Sequence, residues 1–265
     1  MRKKMWNSFK IAFSMYSRIP IPDCEWTEEN MSYAMCFFPC IGAVIGAASY
    51  GVFRIADWAQ TGKVPVNDLF WTVLLVLIPI LITGGIHMDG FLDTQDALSS
   101  YQSRERRLEI LKDSHAGAFA IISCAVYLLL YTGVYSSRSE ESMRVIALGF
   151  MLSRILSGLA VVTFPQARKQ GMAAAFSQNA AKKTTRIVLC IWLVMLGVIM
   201  IVVGTIPGIL SILSAGLMFL YYHRMAMEKF GGITGDLAGY FLQMCELVMA
   251  MAAVGGDILL KSLAG

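Results

Sequence analysis

The sequence predicts an all-α fold: a polytopic integral membrane helical bundle of about seven transmembrane helices, with an N-terminal helix lying in the membrane interface. Composition is the first observation. Mean hydropathy is +0.62, hydrophobic residues make up 57% of the 265, and 15% are charged, against about 25% in a soluble domain. Patterning is the second. The apolar residues are bunched into runs close to the roughly 20 residues that a helical crossing needs. Short links between the runs favour one membrane-embedded domain over residues 1–265.

Residues 1–20, MRKKMWNSFKIAFSMYSRIP, are basic but lack a long apolar stretch and a small-residue cleavage site, so they make a poor signal peptide. Trp6, Phe9, Phe13 and Tyr16 recur at helical spacing, which suits an amphipathic interfacial helix in contact with lipid. The prolines at 20 and 22 break it. The first span is predicted over 33–56, with Gly42 and Gly46 at the GxxxG spacing that lets a second helix approach closely. A second, short span covers 69–85, with Pro79 as its candidate kink. The third and fourth cover 116–135 and 145–164. The fifth (187–204) and sixth (209–222) are joined by a tight turn over 205–208, and the seventh covers 237–260. Polar segments 86–116, 165–186 and 223–236 separate them. None of the six cysteines sits in a CxxC pair or near a histidine cluster, so neither a disulfide framework nor a zinc site is expected.

Seven spans assign the connecting segments alternately to two sides. The side holding the N-terminus and all three polar segments receives sixteen Lys and Arg outside the spans, and the other side receives four. Basic residues mark the cytoplasmic face, so the N-terminus and the polar segments are expected there, at the cytoplasmic (cell inner) membrane. A transporter spreads polar groups to the midplane and both mouths. One polar face instead suits an enzyme whose active site opens to the cytoplasm. No nucleic-acid partner is expected.

The segment 84–100, GGIHMDGFLDTQDALSS, holds Asp89, Asp93 and Asp96. On a helix these are i, i+4 and i+7, within roughly 60° of one another. Carboxylates on one face repel unless a cation lies between them, and a divalent ion is the usual reason for such a stripe. His87 falls on the opposite face if the helix starts that early, or else on the non-helical Gly84-Gly85 entry. Lys112, Asp113 and Ser114 abut the third span. Ser114 would serve as a helix N-cap there, Asp113 as a further ligand or a hydroxyl partner, and His115 is a weaker candidate. Arg154 and Glu246 lie deep inside spans, where a charge costs roughly 2.5–3.5 kcal/mol and needs a partner. For Arg154, structural pairing and anion binding stay open. Arg168 suits a phosphate through its guanidinium fork. The segment 231–236, GGITGD, offers glycine freedom at Gly232 and oxygens from Thr234 and Asp236. A flexible turn with an N-cap at Asp236 is the plainer reading of it. No Ser or Cys is visibly paired with a base, so direct displacement at phosphorus, assisted by a carboxylate-held divalent metal, is the chemistry these residues suggest.

The stretch GGIHMDGFLDTQDAL resembles the signature of the cobalamin synthase family, the adenosylcobinamide-GDP ribazoletransferases. Arg18-Ile19-Pro20, Phe38-Pro39 with Gly42 and Gly46, Leu111–Ser114 with Gly117, Pro165, Arg168 and Gly171 with Phe176, and the 231–236 segment match it in order along the chain. The family pattern has Arg where this chain has His115, so His115 inherits no role. The resemblance implies the late nucleotide-loop assembly step of cobalamin biosynthesis. A ribose hydroxyl of α-ribazole, or of its 5′-phosphate, attacks the cobinamide-linked phosphate of adenosylcobinamide-GDP, and GMP leaves. It also implies a membrane-bound enzyme dependent on Mg²⁺. Asp89, Asp93, Asp96 and Asp236 would then be metal ligands. His87, Asp89 and Asp93 would be catalytic. Lys112, Asp113, Ser114, Arg154, Arg168, Gly232, Thr234 and Asp236 would bind substrate. Other cobalamin-assembly enzymes and further copies of the chain are the partners it leaves open. A CDP-alcohol phosphotransferase is the nearest rival, but its DGxxAR continuation is replaced here by Asp89-Gly90-Phe91-Leu92-Asp93-Thr94. A cation-coupled transporter would also account for Arg154 and Glu246.

Overall fold

The computed structural model describes residues 2–62, 66–113, 115–168 and 172–264. Ser114, as well as Lys63, Lys169 and Gly171, lies outside these. Among the described residues the elements are helices: α1 (Arg2–Tyr16), α2 (Glu28–Met31), a 3-10 turn (Ala34–Phe37), α3 (Phe38–Thr61), α4 (Asp68–Thr83), α5 (Ile86–Ser99), α6 (Arg104–Ile110), α7 (Ala118–Ser136), α8 (Glu140–Thr163), α9 (Met172–Asn179), α10 (Lys182–Phe230) and α11 (Gly235–Ala264). Five of them are long and apolar enough to cross a membrane, and the bent pair α4–α5 is a sixth candidate. The chain is therefore a multi-pass membrane helical bundle.

The 49-residue α10 is two helices. Thr205 takes φ 45°, ψ −118°, outside the helical region. A Cβ on Gly208 would overlap the carbonyl of Met200, yet eight residues along a straight helix are about 12 Å apart. The chain thus doubles back at Thr205. The predicted four-residue turn shrinks to one residue, because small Gly208 lets the arms close directly, while Gly204 makes room for Val145 of α8. Each arm is as long as a crossing needs.

Two ends of the bundle can be told apart by their contacts. At one end Asp68 pairs with Arg138 (2.5 Å), and Tyr50 donates to Glu140 (3.3 Å). At the other, the α4–α5 corner, the C-terminal ends of α8 and α10 and the start of α11 meet. The GxxxG spacing is used: Cβ atoms on Gly42 and Gly46 would overlap the carbonyls of Phe150 and Ala147, so α3 lies directly against the α8 backbone.

Several expectations are corrected. Helix α4 runs through Pro79, and the sharp bend of this segment, 95°, comes at Gly84–Gly85. The first span begins later, at Phe38, with Pro39 in the first turn where its missing N–H costs nothing. The polar segment 165–186 contains α9 and the start of α10, and α10 extends to Phe230. The N-terminal helix is more than interfacial. Trp6 is exposed, but Ile11, Ala12 and Phe13 lie in the core.

Substituting Leu at Gly42 or Gly46 should destabilise the bundle by about 1–3 kcal/mol, since backbone rather than a flexible side chain must give way. Thermal unfolding in detergent measures this, and wild-type melting of both variants would show that α3 and α8 are not in such contact.

Candidate active site at one end of the bundle

The site is built on glycines. Gly84 and Gly85 take φ of 66° and 80°, a conformation costly for side-chain-bearing residues. They turn the chain from α4 into α5. Arg18 lays its side chain over Gly84, and its backbone N–H donates to the Ile82 carbonyl (2.7 Å). Helix α5 then rides on the start of α11. A Cβ on Gly90 would come 2.7 Å from the Asp236 carbonyl oxygen, and one on Gly239 would come 2.9 Å from that of His87. This approach sets the acids of α5 beside Asp236.

A second support joins 165–168 to 231–234. The Ile233 N–H donates to the Pro165 carbonyl (2.8 Å), and the Ala167 N–H donates to that of Ile233 (2.9 Å). Gly232 (φ 154°) permits this, because a Cβ there would be 2.5 Å from the Ala167 nitrogen. Arg168 emerges from this pairing and donates to the Leu108 carbonyl at the end of α6. Arg104 Nε donates to the Phe230 carbonyl (2.7 Å), filling an orphan acceptor at the end of α10.

Between these supports lies a cleft of about 280 Å³. Asp89, Asp236, Thr234, Gln166 and Arg168 form its polar wall. Tyr16, Met35, Phe38, Val161 and Leu242 form the apolar one, with His87 between. His87 is 4% exposed, and its Nε2 finds no hydrogen-bond partner among the described residues. Burial, then the charge of Arg154, holds its imidazole well below the usual value, hence neutral. Asp93, half-buried, has its carboxyl pushed up to about 7, first by burial, then by the charges of Asp89, Asp236, Asp96 and Asp113. Five acids thus act on one patch.

The predicted residues divide into those that the fold brings together and those that it does not. Asp89, Asp236, His87, Thr234 and Arg168 share the cleft, with Asp93 beside them in charge. Asp96 leaves the stripe. Its two oxygens accept the N–H groups of Gly117 (2.5 Å) and Ala120 (2.8 Å), capping α7 from another helix. That takes over the capping predicted for Ser114. Among the described residues no group of three or more His, Cys, Asp or Glu side chains closes into a shell that could hold a metal ion, so the predicted ligand set does not form as drawn. Arg154 lies in the core, 1% exposed, paired with Glu246 and donating to the Phe150 carbonyl (3.1 Å) and Ser153 Oγ (2.9 Å). It is a structural partner of Glu246, not part of the cleft. Gly232 serves chain packing. Thr234 caps α11 by accepting the Leu237 N–H (3.2 Å), so the cap is Thr234 and not Asp236. Lys112 and Asp113 are exposed outside the cleft, where Asp113 holds His115 (2.7 Å).

Sequence reasoning missed Gln166 and the cleft role of Tyr16. Gln166 stood next to a flagged arginine; Tyr16 looked like one more residue of an interfacial stripe.

The chain matches the family described as Cobalamin-5-phosphate synthase over residues 8–254. A protein of Lachnoclostridium phytofermentans named adenosylcobinamide-GDP ribazoletransferase is 51% identical over 251 residues, covering 95% of this chain and 94% of its own. Proteins of the same name are 33% identical in Desulfitobacterium hafniense (95% and 96% covered) and 30% in Clostridium perfringens (92% and 96%). No solved structure matches.

A carboxyl raised in the folded state costs stability as it ionises. Metal-free protein should therefore lose stability as pH rises from about 4, the unfolded value, to about 7, the folded one. Asp93→Asn should flatten this part of the melting-temperature profile. An unchanged slope in the variant would show that Asp93 is not the strained acid.

Proposed function

The chain belongs to the cobalamin-5-phosphate synthase family, and on that premise we propose that the cleft transfers ribazole to adenosylcobinamide-GDP as an Mg²⁺-dependent phosphotransferase. One observation carries this reading: Asp89, Asp236 and Arg168 line one cleft together with a buried His87 whose Nε2 finds no hydrogen-bond partner among the described residues.

In the reaction a ribose hydroxyl oxygen of the acceptor forms a bond to the cobinamide-linked phosphorus, the bond from that phosphorus to the GMP oxygen breaks, and GMP departs with the electron pair. Arg168 is anchored by one donor to Leu108, which leaves its remaining donors for phosphate oxygens. His87 Nε2, buried and without a hydrogen-bond partner among the described residues, takes the hydroxyl proton.

The donor set suits a hard cation. Its groups are carboxylate oxygens, and the load on Asp93 is the kind that a cation relieves. Asp89, Asp93 and Asp236 would hold Mg²⁺. Their failure to complete a shell by themselves agrees with the habit of this ion of taking one or two carboxylates and filling the rest with water and substrate phosphate. When bound, the ion supplies charge neutralisation on the diphosphate.

The basic-residue asymmetry supports a cytoplasmic opening for this end, with the N-terminus on the same side.

The test is purified protein in lipid with adenosylcobinamide-GDP, α-ribazole and Mg²⁺, assayed for GMP. Asp89→Asn and Arg168→Ala should each lower turnover by about 10²–10³-fold while inserting normally. Chelation should abolish it, and restored Mg²⁺ should recover it. Wild-type turnover in Asp89→Asn at low Mg²⁺ would sink the metal assignment.

A further inference from the structure

We propose that the apolar wall of the cleft is the subsite for the flat heteroaromatic base of the acceptor nucleoside, with the Tyr16 ring as its stacking platform. This rests on the functional reading above and goes beyond it by assigning which substrate group lies where.

The wall is built, not incidental. Tyr16 packs on Phe38 (ring centroids 4.6 Å apart) and Phe176 (5.9 Å), and it lies nearly parallel to His87 at 6.1 Å, 23° between planes. Phe38 meets His87 edge-on at 6.1 Å. These contacts come from four elements, α1, α3, α5 and α9, so the ring is held from several sides. Yet Tyr16 keeps part of its surface on the cleft, with Met35, Val161 and Leu242 around it. An aromatic side chain that lines a cleft beside a polar centre offers surface for another flat ring to pack against.

Three chemistries follow one another across the cleft: the aromatic wall, then the single acceptor of His87, then the charged wall of Asp89, Asp236 and Arg168. The acceptor nucleoside has the same order: an apolar aromatic base, a ribose hydroxyl and the phosphorus that the hydroxyl attacks. With the base on Tyr16, the ribose lies at His87 and the attacked group lies at Arg168. The alternatives fit less well. A guanine edge carries several donors and acceptors that Met35, Val161 and Leu242 would leave unpaired. A corrin macrocycle exceeds a cleft of about 280 Å³.

The test uses the full-length protein in lipid nanodiscs and two readouts: equilibrium binding of α-ribazole without donor, and the KM of each substrate for GMP release. Tyr16→Leu should weaken α-ribazole binding about tenfold, within the range expected for a lost aromatic contact, and leave the donor KM within twofold. Tyr16→Phe, which keeps the ring, should bind like wild type, and that shows that the loss in Tyr16→Leu is not misfolding. Unchanged α-ribazole binding in Tyr16→Leu would overturn the assignment, as would a raised donor KM or weakened GMP binding, either of which would put the guanosine on this wall. An active wild type with such results would fail the subsite alone, whereas a wild type releasing no GMP would fail the functional reading beneath it.

Discussion

The closeness of α5 to α11 is the constraint on which the site depends. Gly90 meets the Asp236 backbone and Gly239 meets that of His87. With larger residues the helices would stand apart by the width of a side chain, and the acids of α5 would face water instead of Asp236. The same intimacy explains the electrostatics. Acids from two helices and a loop act on Asp93, and its raised carboxyl reflects burial first and that crowding second. A patch of like charge is destabilising by itself, and this is the load that the proposed cation would relieve.

Below this level the bundle solves a different polar problem. Arg154 and Glu246 are both almost wholly enclosed, and each would be costly alone. Facing each other, with Ser153 donating to the same carboxylate (3.0 Å), they join α8 to α11. Such a pair need not add stability relative to packed apolar side chains. Its positive member adds to burial, the larger cause, in keeping His87 from acquiring charge.

Much of this was legible in the sequence. The membrane class followed from composition, the spans from run length, and the acid stripe from helical spacing, because each depends on local pattern. Gly42 and Gly46 did what their spacing suggested. What could not be read was set by distant partners. Asp96 belongs to the stripe by spacing, but its oxygens were claimed by the first N–H groups of α7, a helix that a local pattern does not place. Arg154 read as anion site or ion pair with equal ease until Glu246 was found opposite. Gly232 looked like phosphate chemistry and proved to be room for the backbone of 165–167. Tyr16 fitted an amphipathic stripe so well that its second use went unseen.

The pairing of 165–167 with 231–234 has a consequence for how the chain is assembled. The acidic helix, the corner glycines and Arg168 all precede the last membrane hairpin. The wall opposite them, with Asp236 and the groove in which Gly90 sits, arrives only with α11. The charged helix is therefore synthesised before its counterpart. The cleft exists only once the final crossing is in place, so membrane insertion itself determines when the protein can first bind its substrates.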